Sequence, residues 1–203
     1  MMRYTIKAPI IHSIKIQRSE FIVFLHPVAD AKSCQDLLRE HQSQYSDATH
    51  NCYAYVLGFE AETQYYSDAG EPGGTAGKPI LNSLLRNDLS GVLAIVTRYY
   101  GGIKLGVKGL IEAYTLACTE AIELSKKLPY EEFCHFQVTC DYPHLEKLRH
   151  QIAQYRGQEI SSEYHTRVDL IFKIPKALKP ECTEFLASAI ALYGLEYIIE
   201  DKA

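Results

Sequence analysis

Glycine clustering is the feature that most constrains how this chain can fold. Nine of the twelve glycines lie between residues 70 and 109, most of them in two short segments. The segments read Asp68-Ala-Gly-Glu-Pro-Gly-Gly-Thr-Ala-Gly-Lys-Pro79 and Thr97-Arg-Tyr-Tyr-Gly-Gly-Ile-Lys-Leu-Gly-Val-Lys-Gly109. Repeated glycines indicate tight turns, or a bare backbone that another group approaches closely. Both segments are therefore predicted to be loops, and together they form a candidate binding surface.

Strands and helices are predicted on either side of these loops. Residues 11–17 and 20–25 are rich in β-branched and aromatic side chains and predict a hairpin. Asp30 is placed to cap a following amphipathic helix, and Thr75 to cap a short helix near Pro79. Residues 91–96 are apolar on both faces, which predicts a central, doubly covered strand. After the second loop, apolar residues repeat at helical spacing at Leu110, Ala113, Tyr114, Ala117, Cys118 and Ala121.

The C-terminal part predicts a separate domain. Pro129 interrupts the preceding helix, because proline lacks the backbone donor and disfavours helix in the residue before it. We therefore expect one domain over residues 1–128 and another over residues 129–203. The later pattern predicts the order βαββαβ, the ferredoxin-like split βαβ arrangement. The fold class predicted is α+β.

Composition limits the classes of protein to consider. With 47% hydrophobic and 23% charged residues, the chain is typical of a globular protein. The pattern predicts neither a membrane-spanning stretch nor a signal peptide, and we expect a cytoplasmic location without membrane association. The six cysteines contain no CxxC pair, and most of them are expected to be reduced core residues. The net charge of -4 comes from the C-terminal part, which argues against nonspecific nucleic-acid binding by the whole molecule.

The second glycine segment has the residue types of a nucleic-acid-binding surface. Arg98, Lys104 and Lys108 offer cations for phosphates, and Tyr99 and Tyr100 offer aromatic faces for bases. The same tyrosines and arginine would also suit a protein interface, and solvated cations around one core tyrosine would explain them without any ligand. The candidate binding residues are Asp68, Gly70, Glu71, Gly73, Gly74, Thr75, Gly77, Lys78, Arg98, Tyr99, Tyr100, Gly101, Gly102, Lys104 and Lys108.

An enzymatic alternative remains at the first segment. Exposed amides near Thr75, with Lys78 beside them, would hold a small phosphate or carboxylate. The spacing does not match a nucleotide-hydrolysing phosphate loop, because only three residues separate Gly73 from Gly77 and Pro79 follows the lysine.

Neighbouring side chains raise the question of a metal or a nucleophile. His50 and Cys52 lie on one face of a predicted strand near Asp68 and Glu71. A single His-x-Cys pair is more typical of packing, and both carboxylates are predicted to accept backbone N–H groups of the loop. No catalytic residue, metal or cofactor is predicted, and a binding role is favoured over an enzymatic one.

Both glycine segments strongly resemble the signature of the IMPACT/YigZ family. The resemblance covers residues from about 12 to 127, and the remainder resembles the C-terminal domain of bacterial two-domain members. It implies a first domain resembling domain IV of elongation factor G and a ferredoxin-like domain resembling its domain V. This chain has Ala69 where the family usually has aspartate and Lys108 where it usually has glycine. The added cation favours an anionic partner.

The resemblance also implies a role in translation. Eukaryotic relatives resemble regulators that restrain a stress-responsive kinase by competing for its activator. Bacteria lack that pathway, so the kinase partner is not carried over to this chain. We expect a protein that contacts RNA, the ribosome or a ribosome-associated protein. The alternatives left open are an enzyme for a small anion and a protein-protein adaptor.

Overall fold

The computed structural model describes residues 2–200, which form strands and helices distributed along the whole range. The strands are β1 (Tyr4–Ile6), β2 (Ile10–Ile16), β3 (Ser19–Pro27), β4 (His50–Leu57), β5 (Thr63–Ser67), β6 (Val92–Tyr99), β7 (Lys127–Pro129), β8 (Phe133–Cys140), β9 (Gln158–Tyr164), β10 (Val168–Pro175) and β11 (Glu196–Glu200). The helices are α1 (Ala31–Gln44), α2 (Gly77–Arg86), α3 (Gly106–Leu124), α4 (Tyr142–Gln154) and α5 (Lys179–Tyr193). The chain divides into two units between Tyr130 and Glu131.

An antiparallel sheet organises the first unit, with strand order β2-β3-β6-β4-β5. β6 lies in the middle, and every residue from Val92 to Arg98 is buried. The prediction of a central, doubly covered strand is therefore confirmed. β7 pairs with β1 as a separate short ribbon, so the first unit continues beyond the end of α3 at Leu124.

Helices cover both faces of this sheet. α2 and α3 pack on the face that carries Phe21, Cys52 and Val96. All six residues predicted for the apolar face of α3 are buried. α1 packs on the opposite face, and Asp30 caps it as predicted by accepting a hydrogen bond from the Ser33 N–H at 2.7 Å. The predicted apolar face of α3 and the predicted cap of α1 are therefore both confirmed.

The second unit has the element order β8-α4-β9-β10-α5-β11, which is the predicted βαββαβ order. Its antiparallel sheet has strand order β11-β8-β10-β9. Alternate residues of β8 from Cys134 to Cys140 are buried and pack with α4 and α5. All six cysteines of the chain are buried and lie outside any disulfide, which agrees with their expected place in the core.

Candidate functional site

Both glycine segments leave the five-stranded sheet at the same end. The first glycine loop (residues 68–76) connects β5 to α2, and the second glycine loop (residues 100–105) connects β6 to α3. Arg98, near the end of β6, pairs with Phe21 near the start of β3 and with His50 at the start of β4. The antiparallel register thus places the ends of these strands, and the loops that follow them, side by side.

Asp68 organises the first glycine loop and the start of α2. Its Oδ1 accepts hydrogen bonds from the backbone N–H groups of Ala76 at 3.0 Å and Gly77 at 2.8 Å, and its Oδ2 accepts one from Gly74 at 2.8 Å. N–H groups that a helix start leaves unpaired are thereby satisfied. The prediction that Asp68 accepts backbone N–H groups is confirmed. The prediction that Thr75 caps α2 is wrong, because its hydroxyl donates to a carbonyl within the loop.

Two of the glycines are required by packing inside the protein. A Cβ atom at Gly77 would lie 2.7 Å from the backbone at the end of β5, and one at Gly101 would overlap the backbone of Arg18. Gly73 and Gly102 have open space around the position that a Cβ would take. Gly77 and Gly101 are therefore explained by tight connections between packed elements, while the backbone at Gly73 and Gly102 is accessible from outside.

A buried ion pair ties the first glycine loop to β6. The Nη1 of Arg98 donates to Oε1 of Glu71 at 2.6 Å, and the Nη2 lies 3.3 Å from the Ser19 hydroxyl. The two charged side chains are only 5% and 3% exposed. Arg98 is therefore a buried partner of Glu71 and not an exposed cation of the surface, while its predicted contact with phosphates stays a prediction. The expectation that Glu71 accepts backbone N–H groups is corrected, because it binds side chains instead.

Tyr114 of α3 completes this network, and the sequence analysis treated it only as a core residue. Its hydroxyl donates to the same Glu71 oxygen at 2.8 Å, while its side chain is fully buried. Burial, together with Cys52 and Glu71, raises the pKa of Tyr114. The sequence did indicate that Tyr114 has a hydrogen-bond partner, because it lies on the apolar face of α3 and a buried tyrosine hydroxyl normally requires one. The sequence did not indicate which partner.

Cys52 and His50 adjoin the ion pair without forming a nucleophile and its base. The Cys52 thiol donates to the Asp68 carbonyl at 3.0 Å, and burial raises its pKa to about 12. His50 places Nδ1 3.0 Å from the Ala69 carbonyl and Nε2 3.8 Å from the Glu71 carboxylate. Because the thiolate is the nucleophile, a thiol with so high a pKa is unsuited to attack at neutral pH. These side chains support the loop.

The second glycine loop and the first turn of α3 present an exposed patch of mixed character. We name it the second-loop patch; its members are Tyr100, Ile103, Lys104, Val107 and Lys108. Tyr100 is 43% exposed, and the Lys108 side chain is 91% exposed, 3.8 Å from Glu112. Tyr99 is set apart from this patch, because it is half-buried and its hydroxyl donates to Asp47 at 3.0 Å.

A cleft of about 270 Å³ opens between the second-loop patch and the first glycine loop. Its lining includes Glu71, Arg98, Tyr100, Lys104, Gly106 and Val107. The fold thus brings together four of the predicted binding residues from the two separate segments. Lys78 is exposed in the first turn of α2 and is not part of the lining.

The described residues supply no ready-made metal site. Among residues 2–200, no group of three or more His, Cys, Asp or Glu side chains is placed to hold a metal ion. In the same range, no helix combines the length and the apolar character needed to cross a membrane.

Comparison with known proteins places both units in described families. The Impact N-terminal domain matches residues 17–122, and a domain of unknown function, DUF1949, matches residues 138–191. The chain is similar to the IMPACT family member YvyE of Bacillus subtilis, with 35% identity over 84% of this chain and 77% of the relative. It is also similar to the IMPACT family member YigZ of Escherichia coli, with 33% identity over 89% of each chain.

A solved structure resembles the whole chain. The crystal structure of a hypothetical protein aligns with a TM-score of 0.71 and 28% sequence identity. The alignment covers 100% of this chain and 98% of that one. The crystallised protein therefore contains both units in the same order along its chain.

Proposed function

Because the chain belongs to the IMPACT family, we propose that it is a translation-related regulatory protein that binds RNA or the ribosome. The contact surface in this proposal is the second-loop patch together with the accessible backbone of the glycine loops. A translation-related role implies a cytoplasmic location. A ribosome-associated protein is the alternative partner, and the test below distinguishes it.

The exposed cations beside an exposed aromatic ring carry this proposal. Lys104 lies in the second loop and lines the cleft together with Tyr100, and Lys108 lies exposed in the first turn of α3. Cations that contact phosphates and aromatic rings that stack on bases are the usual combination in proteins that hold unpaired RNA. Arg98 is not one of these exposed cations, because Glu71 already neutralises its charge.

The ion-pair network gives this surface a fixed shape. Asp68 holds the first glycine loop through backbone N–H groups, and Glu71 holds the same loop to β6 and α3. A preformed surface loses less conformational entropy on binding than one that must be ordered by its partner. The described contacts therefore favour recognition by a rigid surface.

The proposal is tested by measuring binding to ribosomal subunits and to total cellular RNA at low and high salt. The test variant is Lys104→Ala/Lys108→Ala, which removes both exposed cations and leaves the buried ion pair intact. The matched control is Lys7→Ala/Lys32→Ala, two exposed lysines at the opposite end of the sheet, where β3 ends and β6 begins. Both variants lose the same formal charge.

Salt-sensitive binding that is lost in the test variant and kept in the control supports the proposal, since phosphate contacts weaken steeply with salt. Binding that tolerates salt and withstands treatment of the subunits with ribonuclease indicates a ribosome-associated protein as the partner. Absence of binding to subunits and RNA at low salt contradicts the proposal.

The family also carries a structural proposal: the first unit corresponds to domain IV of elongation factor G, and the second unit to its ferredoxin-like domain V. The βαββαβ order of the second unit supports the second correspondence. For the first unit, the feature to compare with domain IV is the antiparallel sheet with helices on both faces.

A further inference from the structure

We propose that the cleft at the start of α3 binds the phosphate group of a nucleotide, while Tyr100 stacks on its base. This inference rests on the proposed function, because it names the ligand chemistry of the same surface. The cleft lies between the Arg98–Glu71 ion pair and the first turn of α3. The shared chemistry is a phosphate attached to a nucleoside, whether at the end of a chain or within it.

The start of α3 is an uncapped helix terminus that faces this cleft. Gly106 and Val107, the first residues of the helix, line the cleft. Leu105 at the cap position provides no side-chain hydrogen bond, and the first turn contains no acidic residue. The first N–H groups of a helix have no partner within the helix and carry a partial positive charge. A phosphate in the cleft would accept hydrogen bonds from them.

Arg98 provides the second and independent observation. It lines the same cleft, is 5% exposed, and its Nε has no hydrogen-bond partner among the described residues. A buried donor without a partner is costly, so native structures rarely leave one unpaired. The other two guanidinium nitrogens contact Glu71 and Ser19. The Nε has less than 1 Å² of accessible surface, so an oxygen of the ligand at the floor of the cleft would satisfy this donor after a small shift of the Arg98 side chain.

Charge and aromatic surface at the mouth of the cleft fit a nucleotide. Lys104 lines the cleft and is exposed, so its ammonium group is available to an anion. The carboxylate that lines the cleft, Glu71, is neutralised by Arg98. Tyr100 lies with its ring centroid 5.4 Å from the Arg98 guanidinium carbon and keeps 43% of its surface exposed. An exposed ring beside a phosphate site is the arrangement that receives a base.

The direct test is a titration of the ¹⁵N-labelled full-length protein, observed through its backbone amide resonances. The ligands are inorganic phosphate, uridine 5′-monophosphate, a short oligouridylate with 5′-hydroxyl ends, and uridine. We expect the amides of Gly106, Val107 and Lys108 to shift with every phosphate-containing ligand and not with uridine. A response to the monophosphate alone identifies a terminal phosphate, whereas a response to the oligouridylate identifies an internal phosphodiester.

Val107 offers a matched pair of variants that separates binding from folding. Val107→Asp puts a negative charge at the mouth of the cleft, at a 60% exposed position where an acidic residue stabilises the helix start. Val107→Asn is of the same size without the charge. Like-charge repulsion predicts that the Asp variant binds uridine monophosphate about tenfold more weakly than the Asn variant. A cooperative thermal unfolding transition in each of the two proteins shows that both are folded.

Two results overturn the inference: α3 amides that do not respond to uridine monophosphate and oligouridylate, or equal affinities of the two Val107 variants. Ribosome binding that is undiminished in Val107→Asp also contradicts the cleft assignment, while leaving the proposed function standing. Conversely, α3 amides that respond to phosphate in a protein that does not bind ribosomal subunits or RNA contradict the proposed function alone.

Discussion

Replacing Arg98 by methionine tests whether the ion pair organises the candidate site. The substitution keeps an apolar stem of similar length but leaves the Glu71 carboxylate, 3% exposed, without its cation. Breaking a buried pair by removing one partner costs about 3 to 5 kcal/mol, because the remaining charge stays buried. The guanidinium also lies 5.4 Å from the ring centroids of Phe21 and Tyr100, and losing each contact costs about 0.5 to 1 kcal/mol.

A double-mutant cycle isolates the ion pair within that loss. Glu71→Gln removes the charge while keeping an oxygen that accepts the Tyr114 hydroxyl. In the Arg98→Met background it should recover about 2 kcal/mol, because no uncompensated charge remains buried. In the wild-type background the same substitution should destabilise the protein, because it leaves the Arg98 charge unpaired.

The measurement is urea unfolding followed by amide resonances of β6, which report on the first unit separately from the second. The free energy of unfolding is taken from linear extrapolation for the wild type and the three variants. A loss below about 1 kcal/mol for Arg98→Met, the range of exposed ion pairs, would refute the reasoning. Strictly additive effects of the two substitutions would refute it as well.

Two further predictions concern the packing around the site. Burial lowers the pKa of His41 from 6.5 to about 4. As the pH falls, His41 of the unfolded chain therefore takes up a proton before His41 of the folded protein does. Between pH 6.5 and pH 4, the free energy of unfolding should decrease by about 1.4 kcal/mol per pH unit. Thermal unfolding across that range checks this, and an equally steep decrease in His41→Gln would contradict it. Gly101→Ala should destabilise the first unit by about 1 to 3 kcal/mol through overlap with Arg18, whereas Gly73→Ala, which has open space, should change stability by less than about 0.5 kcal/mol. Urea unfolding of the two variants compares them, and equal stabilities would show that the close approach at Gly101 is unimportant.

Local patterns in the sequence determined much of the fold. The apolar face of α3, the doubly apolar β6 and the Asp30 cap depend on residues within a few positions of one another, and all three were predicted correctly. The Asp68 cap of α2 shows where such rules fail. Asp68 lies nine residues before Gly77, so only the folded loop brings its carboxylate to the helix start.

The character of the site was harder to predict because it depends on distant pairings. Arg98 and Glu71 are 27 residues apart, and Tyr114 reaches the same carboxylate from a third element. Sequence alone made Arg98 one of several cations beside glycines, and could not show that a carboxylate neutralises it. The exposed lysines of the second-loop patch were predicted as candidates from composition, and their accessibility became apparent only with the fold.

The most direct test of the central claim is the salt dependence of binding to ribosomal subunits, compared between the wild type and Lys104→Ala/Lys108→Ala. If both lysines contact phosphates of unpaired RNA, the slope of log affinity against log salt concentration should become shallower by roughly 1.4 in the variant. The Lys7→Ala/Lys32→Ala control should keep the wild-type slope. Identical slopes in all three proteins, or no binding by the wild type at low salt, would contradict the claim that this surface binds RNA.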